Sequence, residues 1–398
     1  MVDFYERSLI VHEQLRGKLG VVSKVPIQTS DDLSIAYTPG VARPCEVIAN
    51  DPSRARDLTI KRNSVAIITD GTAVLGLGNI GPLAAIPVME GKAILFKTFA
   101  DIDAWPLCLD TTDTEEIIET VRRIAPVFGG INLEDISSPR CFEIEARLQD
   151  LGIPVFHDDQ HGTAIVLLAA LINSSRVLGR PLESMKVVIS GAGAAGIAIS
   201  QLLRCVSFDT SVCIPVADII MCDSKGAIHE GRTDLNPVKQ KVLAWTNRDN
   251  RSGSLQEVLE GADVFIGVSK GGLLNADDIR RMAPDSIVLA MANPIPEIMP
   301  DEARRGGAAI VGTGRSDFPN QVNNVLAFPG IFRGALDSGA ATIDGAMKMA
   351  AAHALADAVR KPTVDQILPD PLDRTVPPQI ARAVREAALG NREDSPVG

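Results

Sequence analysis

The chain has 398 residues, of which 45% are hydrophobic and 22% charged, and its formal net charge is −11 at pH 7. This length exceeds what one ordinary hydrophobic core accommodates, so we expect two domains. The acidic balance argues against nucleic acid as a partner, because it repels phosphate backbones and the chain has no basic block interleaved with aromatic residues.

Targeting features are not apparent in the sequence. The longest apolar run, residues 163–172, is about half as long as a bilayer span requires, so we expect no membrane contact. Residues 1–6 lack the basic region and apolar core of a signal peptide. The six cysteines form no C-x-x-C pair and are interpreted as small, buried, reduced side chains. Together these features predict a cytoplasmic protein.

The first part of the chain contains two chemically distinctive side chains, Tyr37 and Lys92. Residues 3–19 predict an amphipathic helix, and Tyr37 then stands immediately before a Pro-Gly break. Residues 64–69 predict a strand that turns back as a return strand over residues 73–75. Lys92 is predicted at the entrance to an apolar strand. Taken alone, Tyr37 is favoured as a structural tyrosine and Lys92 as a surface lysine.

A G-x-G-x-x-G pattern occurs at residues 76–81, but we do not interpret it as a dinucleotide site. Pro82 follows it directly and Pro87 comes soon after, so we expect no clean nucleotide-binding helix to begin there. No acidic strand end is predicted about twenty residues further on, where a dinucleotide site would have one. A turn close to the substrate is the favoured interpretation.

Paired carboxylates follow two neighbouring predicted strands. A strand over residues 130–133 leads into Glu134-Asp135, and the apolar run 153–156 leads to Asp158-Asp159. Two such strand ends are costly to hold without a positive charge, so they predict a hard-cation site with Glu134, Asp135 and one of the Asp158-Asp159 pair as ligands. Helices that alternate with the strands, and thereby indicate a parallel α/β fold, are predicted over residues 113–125, 138–149 and 163–178.

A second G-x-G-x-x-G pattern has the context of a dinucleotide-binding loop. Residues 185–190 predict a β-branched strand, the glycine-rich stretch 191–196 follows, and residues 197–205 predict a helix. The next strand, residues 218–222, ends in Asp223, where an acid accepts from a ribose hydroxyl. We therefore predict a doubly wound, Rossmann-type α/β domain over residues 163–398 and a smaller N-terminal α/β domain over residues 1–162.

The same alternation continues towards the end of the chain. Strands are predicted over residues 264–267, before Val268, over residues 287–290, before Asn293, and over residues 308–311. Asn323-Asn324 either caps a helix or binds a ligand, and the residues alone leave both alternatives open. Helices are predicted over residues 344–360 and 378–389, and residues 390–398 are expected to be disordered.

These parts suit the oxidation, by a nicotinamide cofactor, of a carbon that bears a hydroxyl. Such a reaction needs a base for the hydroxyl proton and, if CO2 leaves afterwards, an acid that reprotonates the enolate carbon. Lys92 and Tyr37 are the candidates for these two places. A lysine with its ordinary pKa of about 10.4 is a poor base. We therefore expect burial and a nearby cation to depress the pKa of Lys92.

Six stretches of the chain together resemble malic enzymes, in the order in which those enzymes have them. The stretches are residues 37–42, 69–78, 90–92, 133–135, 156–164 and 323–330. The resemblance covers nearly the whole chain, and the length is that of the short bacterial form. It implies oxidative decarboxylation of L-malate to pyruvate and CO2 with NAD or NADP, by a homodimer or higher homo-oligomer.

The resemblance also implies a role for each candidate site residue. Tyr37 would be the general acid and Lys92 the general base, assisted by Asp158. Mg2+ or Mn2+ would be bound by Glu134, Asp135 and Asp159. The substrate would be held by Lys92, Asn293 and Asn324, and the cofactor by Gly191, Gly193, Ala194, Ala195, Gly196, Asp223, Val268 and Asn293.

Two details of the site stay open at this point. The larger eukaryotic members have an arginine where this chain has Ala73, so malate's carboxylate needs another partner here. Asp223 should repel a 2′-phosphate and favour NAD, but Lys225 could offset the charge of a phosphate.

Two other classes of protein share some of these features. A zinc hydrolase would use His157 and His161, but that spacing works only when both lie on one helical face. A non-catalytic dinucleotide-binding regulator would account for residues 191–223 and would leave the paired acids and Lys92 without a role.

Overall fold

The computed structural model describes residues 4–74, 76–206, 208 and 213–393, and these contain two predominantly parallel sheets. The N-terminal strands are β1 (Ser64–Thr69), β2 (Asp103–Cys108), β3 (Gly130–Leu133) and β4 (Val155–His157). The helices before and between them are α1 (Phe4–Leu15), α2 (Ser30–Ala36), α3 (Ala42–Asn50), α4 (Ala55–Leu58), α5 (Gly81–Ala100), α6 (Thr114–Ile124) and α7 (Arg140–Arg147). This alternation confirms the predicted α/β class.

The N-terminal sheet has the strand order β2-β1-β3-β4, and all of its strands run parallel. β1 and β3 are buried along their whole length, as expected for apolar strands that helices cover on both faces. The register places Ile68, Leu133 and His157 in one row near the ends of β1, β3 and β4. The residues that follow these three strands therefore meet at one edge of the sheet.

α5 corrects two of the predictions for this part of the chain. Lys92 is not at a strand entrance but inside α5, because the short apolar run after it does not distinguish a strand from a buried helix. A helix does begin at Gly81, where Pro82 is tolerated because the first turn needs no N–H donor. The buried positions recur at helical spacing and are Ala85, Met89, Lys92, Ala93 and Phe96.

The return strand predicted after β1 is not formed. Ala73 donates its backbone N–H to the carbonyl of Asp135 at 2.9 Å, and β1 is flanked by β2 and β3 instead. Gly81 donates its N–H to the carbonyl of Gly71 at 3.2 Å, so the segment closes on itself as a loop. Leu75, the last residue of the predicted strand, lies outside the described residues.

The C-terminal part alternates strands and helices around a second sheet. Its strands are β5 (Lys186–Ser190), β6 (Asp218–Asp223), β7 (Gly226–Ala227), β8 (Val264–Gly267), β9 (Ile287–Ala290) and β10 (Ile310–Thr313). Its helices are α8 (Asp158–Leu178), α9 (Ala194–Leu203), α10 (Pro237–Val242), α11 (Leu255–Val258), α12 (Ala276–Ile279), α13 (Pro300–Arg305), α14 (Phe328–Ser338), α15 (Gly345–Asp357) and α16 (Val376–Glu393).

The second sheet has the order β10-β9-β8-β5-β6-β7, with β7 antiparallel to β6 and the other pairs parallel. β5 has β6 on one side and β8 on the other, so the winding of the chain reverses beside β5. In open parallel sheets, ligands bind at such a reversal, outside the carboxyl ends of the strands. This arrangement confirms the predicted Rossmann-type domain.

α8 joins the two sheets and lies in the core. It begins at Asp158, directly after β4, and thus five residues earlier than predicted, so the proposed domain boundary after residue 162 lies inside this helix. Among the described helices, α8 alone has the length and composition of a membrane span, with a mean hydropathy of 1.3 over a window that is 67% buried in the protein. A buried core helix meets the same criteria.

The junction between the sheets contains a cluster of buried aromatic rings. Phe96 of α5 packs edge-on against Phe328 and Phe332 of α14, with ring centroids 4.7 and 5.3 Å apart. Phe332 also meets Phe156 of β4 at 5.8 Å. Truncating one such ring to alanine typically costs about 3–5 kcal/mol. The helix that carries Lys92 is therefore held against the C-terminal half of the chain by apolar packing.

The N-terminal helices leave a broad apolar surface open. The predicted helix over residues 3–19 is confirmed in part as α1, and none of the described residues in α1, α2 and α3 is buried. Leu9, Ile10 and Leu15 of α1 are 55%, 47% and 62% exposed. Further along, Val21 and Val22 are 82% and 85% exposed.

Two smaller predictions are also corrected. Cys205 and Cys213 form a disulfide, whereas all six cysteines were expected to be reduced. The two cysteines are eight positions apart in sequence, and their Cα atoms are 5.8 Å apart. Cys45 is exposed and Cys108 only partly buried. The last helix continues to Glu393, so residues 390–393 are not disordered, and residues 394–398 lie outside the described chain.

Candidate functional site

The carboxyl ends of the N-terminal strands bring the predicted lysine and acids together. Lys92 donates from Nζ to Glu134 Oε1 at 2.8 Å and to Asp158 Oδ2. The side chains of Lys92 and Glu134 are 7% and 8% exposed, and that of Asp158 is fully buried. The Lys92 ammonium also lies 4.1 Å from the ring centroid of Phe328, a cation–π contact. We call Lys92, Glu134, Asp158 and Asp159 the lysine–acid cluster.

Local packing fixes the two acids that contact Lys92. Asn132, a buried residue of β3, donates from Nδ2 to Glu134 Oε2 at 2.8 Å. Asp158 begins α8, and its side chain folds back over Gly162, where an added Cβ would lie 1.8 Å from Asp158 Oδ1. Only glycine fits at position 162 with this arrangement. The glycine in the stretch after the acid pair is thus explained by the room that Asp158 takes up.

The charges around Lys92 decide the direction in which its pKa moves. Burial lowers the pKa of Lys92, as expected, but the negative charges of Asp158, Glu134 and Asp159 raise it more, so the pKa lies above its ordinary value. The lysine is therefore an ammonium that balances acids as long as those acids keep their charges. A base at this position requires another positive charge to offset the carboxylates.

The pKa values of the acids in the cluster are raised as well, which disfavours their charged forms. Burial and the neighbouring negative charges raise the pKa of Asp158 to about 8, although Lys92 opposes this. Burial is also the largest cause of the raised pKa of Glu134 and of Asp159. The cluster has three carboxyl groups beside one ammonium, so its oxygen donors suit a hard divalent cation, whose charge would favour the ionised form of these acids.

The predicted metal ligands are neighbours, but their side chains are not arranged as a ligand set. Asp159 accepts the backbone N–H of Asp135 at Oδ2, 2.8 Å away, and Glu134 is engaged by Lys92 and Asn132. Among the residues that the structure describes, no group of three His, Cys, Asp or Glu side chains is placed to hold a metal. The residue types fit a cation, and binding one requires these side chains to turn towards it.

A second polar network supports the start of α8 and was not found from the sequence. His161 Nε2 lies 3.0 Å from Glu145 Oε2, and His161 Nδ1 lies 3.2 Å from Lys348 Nζ. Glu145 also accepts the N–H of His157 at 2.9 Å. Burial alone would raise the pKa of Glu145, but His161 and Lys348 lower it to about 2. Only the spacing of apolar residues around Glu145 in α7 hinted that this acid is buried.

The same contacts argue against a zinc site at the two histidines. His157 is fully buried and ends β4, while His161 lies one turn into α8 and contacts Glu145. The two imidazoles therefore have different surroundings and do not share one helical face. A zinc hydrolase would need both histidines on one face of a helix, so this geometry argues against it.

Two predicted substrate residues lie at the junction of the sheets. Asn324 begins the short helix Asn324–Leu326, and its Cβ would be 3.3 Å from a Cβ added at Gly162, which places it beside Asp158. Asn293, after β9, has its carbonyl 2.6 Å from the position of a Cβ at Gly76. Asn323 caps the short helix by accepting the N–H of Val325 at 3.0 Å. The first glycine-rich turn therefore approaches Asn293 closely, as a turn near the substrate would.

The second glycine-rich loop has the geometry of a phosphate-binding turn. Gly191 has a φ of +120°, and a Cβ there would lie 2.5 Å from the carbonyl of Val268, at the winding reversal between β5 and β8. A Cβ at Gly196 would lie 1.8 Å from the carbonyl of Gly191, whereas Gly193 has open space around it. α9 begins at Ala194, followed by Ala195, without a side-chain cap, so its first N–H groups remain for an anion.

Asp223 ends β6 as predicted, but it is already heavily engaged. Arg232 makes a bidentate contact with its carboxylate at 2.8 and 3.1 Å, and Lys239 Nζ approaches to 2.6 Å. Burial opposes the charge, but the contacts with Arg232 and Lys239 lower the pKa of Asp223 to about 2.

Tyr37 is the predicted residue that the structure does not bring to the lysine–acid cluster. It caps the end of α2 and is 67% exposed, and no described hydrogen bond joins its side chain to the cluster.

At the loop with Ala73, the guanidinium of Arg140 contacts Asp70 at 2.7 Å and Thr72 at 2.9 Å. Arg140 thereby stabilises the loop that holds Ala73.

Family models match both halves of the chain. The model described as malic enzyme, N-terminal domain, matches residues 16–149, and the model described as malic enzyme, NAD binding domain, matches residues 160–389. The bifunctional malic/malolactic enzyme of Bacillus subtilis (strain 168) is 55% identical over 388 residues, which cover 96% of this chain and 93% of that protein.

Further relatives agree with these matches. The NAD-dependent malic enzyme of Geobacillus stearothermophilus is 54% identical over 405 residues, covering 100% of this chain and 82% of that protein. The crystal structure of NAD-dependent malic enzyme from Thermotoga maritima superposes with a TM-score of 0.90 at 45% identity, covering 97% of this chain and 99% of that one. Two family models that together span most of the sequence, with full-length relatives above half identity, establish that this chain belongs to the malic enzyme family.

Proposed function

We propose that this protein catalyses the oxidative decarboxylation of L-malate to pyruvate and CO2, with NAD or NADP as the hydride acceptor and Mg2+ or Mn2+ as an essential cation. The observation that carries the proposal is the buried contact of Lys92 with Glu134 and Asp158 at the strand ends of one sheet. The glycine turn of Gly76 links this site to Asn293, in the half of the chain that carries the dinucleotide-binding loop.

Lys92 is proposed as the base that takes the proton of the C2 hydroxyl while the hydride leaves C2 for the nicotinamide. Asp158, which contacts Lys92 directly, orients the amine by accepting a hydrogen bond from Nζ. Asn293 and Asn324 are proposed to hold the hydroxyl and a carboxylate of malate. Loss of CO2 then breaks the C3–C4 bond and leaves enolpyruvate, whose C3 must be protonated.

Glu134, Asp135 and Asp159 are the residues proposed to hold the cation. When bound, the cation would supply Lewis-acid polarisation of the substrate oxygen and positive charge against the acids that raise the pKa of Lys92. Without such a charge, Lys92 remains protonated beside Asp158 and Glu134. The protonation state of Lys92 thus depends on how the negative charges of the neighbouring acids are balanced.

We further propose that the protein is a homodimer or a higher homo-oligomer that buries the apolar surface of its N-terminal helices. Monomeric proteins rarely expose contiguous apolar patches of this kind, and Leu9, Leu15 and Val22 are all more than half exposed. Tyr37, the proposed acid, lies in the same exposed part. Association of two copies would cover this surface. A general acid must lie close to its substrate, so we propose that association also brings Tyr37 out of solvent and towards a site.

Replacing Lys92 with alanine is expected to lower kcat for malate oxidation by about 10²- to 10⁴-fold, because the base is lost. Binding of NAD or NADP, measured by calorimetry, should stay within about threefold of the wild type, since the dinucleotide loop is untouched. Lys97→Ala is the matched control, because Lys97 lies on the same helix with 54% of its side chain exposed. Near-normal turnover of the Lys92 variant would remove this lysine from the mechanism.

Replacing Asp159 with asparagine is expected to weaken Mn2+ binding at least about tenfold, because one anionic oxygen donor is lost. Electron paramagnetic resonance of free Mn2+ during a titration measures this without any turnover. Asp150→Asn, whose carboxylate is 66% exposed near the end of α7, is the control and should bind Mn2+ like the wild type. Equal affinities in the two variants would argue against a cation at the lysine–acid cluster.

Replacing Tyr37 with phenylalanine should slow the protonation of enolpyruvate more than hydride transfer, since the variant lacks only the phenol proton. The two steps are separated by comparing ketonisation of added enolpyruvate with single-turnover reduction of NAD or NADP. Tyr5→Phe is the control, because Tyr5 is the other tyrosine of the chain and is 79% exposed. If the Tyr37 variant ketonises enolpyruvate at the wild-type rate, the acid lies elsewhere.

The double variant Leu9→Glu with Leu15→Glu is expected to sediment as a monomer, because buried charges at an interface are costly. The wild type at the same protein concentration should sediment as a dimer or larger species. Leu372→Glu, at a leucine of the C-terminal half that is 75% exposed, should leave the oligomer intact. A monomeric wild type would contradict the proposal.

The rival proposal of a non-catalytic regulator makes a different prediction for these measurements. It expects binding of a dinucleotide but no malate-dependent reduction, and no effect of Lys92. The buried lysine and acids also weigh against it, because an unused group of this kind would be costly to keep.

A further inference from the structure

A cavity of about 210 Å³ lies between α8, α9 and the beginning of α15. The polar side chains that line it are His161 of α8, Gln201 of α9 and Lys348 of α15, and its other side chains are apolar. Of the described residues, none of the lysine–acid cluster and none of the loop 191–196 lines this cavity. It is therefore distinct from the sites proposed for malate, the cation and the dinucleotide, and we call it the Lys348 cavity.

Lys348 places an ammonium at the wall of this cavity without a carboxylate in contact with it. Nζ of Lys348 lies 3.2 Å from Nδ1 of His161, and this is its one polar contact among the described residues. An ammonium has three N–H donors and no acceptor, so one contact with an imidazole nitrogen leaves two donors. These two donors are available for the oxygen atoms of a ligand.

The imidazole of His161 does not balance the charge of this ammonium. Nε2 of His161 faces Glu145 at 3.0 Å, so the ring donates there and accepts from Lys348 at Nδ1, which is the neutral tautomer. Burial lowers the pKa of Lys348, and the more distant negative charges of Glu145 and Asp344 oppose this only in part. A carboxylate in contact with Nζ would favour the ammonium, because a close opposite charge stabilises the charged form.

The rest of the cavity wall is apolar. Ile165 of α8 and Ala198 and Leu202 of α9 line it with side chains that are buried in the protein. A small anion alone would leave this surface in contact with water. A ligand with a short hydrocarbon body would cover it, and the burial of apolar surface favours binding.

Size and charge together select the kind of ligand. Sites for drug-sized ligands typically have about 300–1,000 Å³, so a cavity of about 210 Å³ is too small for a nucleotide. A dicarboxylate would place its second charge against the apolar wall, where a charge without a partner is costly. Inorganic phosphate would suit Lys348 but would leave the apolar wall wet. A monocarboxylate with a short hydrocarbon chain meets both requirements.

We propose that the Lys348 cavity binds a small monocarboxylate whose carboxylate contacts Lys348 and whose hydrocarbon chain packs against Ile165, Ala198 and Leu202. The site goes beyond the proposed function, since it uses neither the lysine–acid cluster nor the dinucleotide-binding loop. It adjoins the first turn of α8, because Lys348 contacts His161 there.

The test uses the full chain without malate, dinucleotide or divalent cation, and it measures ligand binding by saturation-transfer NMR titration. Three probes separate charge from chain: hexanoate has both, hexanamide has the chain without the charge, and acetate has the charge without the chain. Hexanoate should bind with a Kd of about 1 mM, the order expected for a ligand of this size. Hexanamide and acetate should each bind at least about tenfold more weakly.

Replacing Lys348 with methionine keeps most of the length of the side chain and removes its charge. This variant should bind hexanoate about 10- to 100-fold more weakly than the wild type, because a charge-assisted hydrogen bond is lost. It should bind hexanoate no more tightly than hexanamide. Lys361→Met, at an exposed lysine of the same half of the chain, is the matched control and should bind hexanoate like the wild type.

A second variant tests the apolar part of the cavity and leaves the lysine in place. Gln201→Phe places a ring in the cavity from a partly exposed position of α9, so hexanoate should bind at least about tenfold more weakly. Because Gln201 is not fully buried, this variant should fold even if the loss of Lys348 disturbs the contact with His161.

The proposal is overturned if hexanamide binds the wild type as tightly as hexanoate does. It is equally overturned if either folded variant, Lys348→Met or Gln201→Phe, binds hexanoate within about threefold of the wild type, or if the wild type shows no saturable binding of hexanoate up to about 20 mM. None of these results bears on malate oxidation, because malate, dinucleotide and cation are absent, so the proposed function is tested separately.

Discussion

The contact of one buried ammonium with buried carboxylates is the constraint on which the rest of the site depends. Lys92 has almost no exposed surface, and neither have Glu134 and Asp158. Removing one partner from such a group leaves an uncompensated charge in a region of low dielectric, at a cost of about 3–5 kcal/mol. The surrounding structure is correspondingly specific: three parallel strands end at one edge, and position 162 has no room for a side chain. Because the acidic groups outnumber the ammonium, the residue types of this group suit the cation that we propose for the site.

The same edge explains how the two halves of the chain cooperate. α8 starts among the acids and then runs as a core helix into the dinucleotide-binding half, so the position of Asp158 is tied to the packing of the second sheet. The loop at Gly76 meets the carbonyl of Asn293 from the opposite side, and the ring of Phe328 lies over the Lys92 ammonium. A substrate at the lysine–acid cluster would thus contact both halves at once.

The sequence predicted those features that depend on neighbours in the chain. Paired acids after apolar runs indicated that Glu134 and Asp158 lie at strand ends, and glycines between a strand and a helix indicated the dinucleotide loop. Features that depend on residues far apart were missed. The helix around Lys92 was mistaken for a strand because a short apolar run has no clear period. Glu145, His161 and Lys348 come from three separate helices, and no local pattern connects them. The expected fall in the pKa of Lys92 assumed a nearby cation and did not count the surrounding acids, which by themselves raise this pKa more than burial lowers it.

Asp223 is another residue whose surroundings the sequence motif did not show, and here the missing information is the charge around it. An acid at the end of the second Rossmann strand is ordinarily read as a preference for NAD, because a bare carboxylate accepts ribose hydroxyls and repels phosphate. That reasoning holds only while the carboxylate is free to do both. Here its acceptor sites are filled by Arg232, Lys239 and a backbone N–H, and its charge is outweighed by the cations that fill them. Arg232 and Lys239 follow Asp223 by nine and sixteen residues, beyond the reach of the fingerprint, so the motif alone cannot reveal them. The strand-end acid alone therefore does not give the local charge, and the sign of that charge has to be taken from the folded chain.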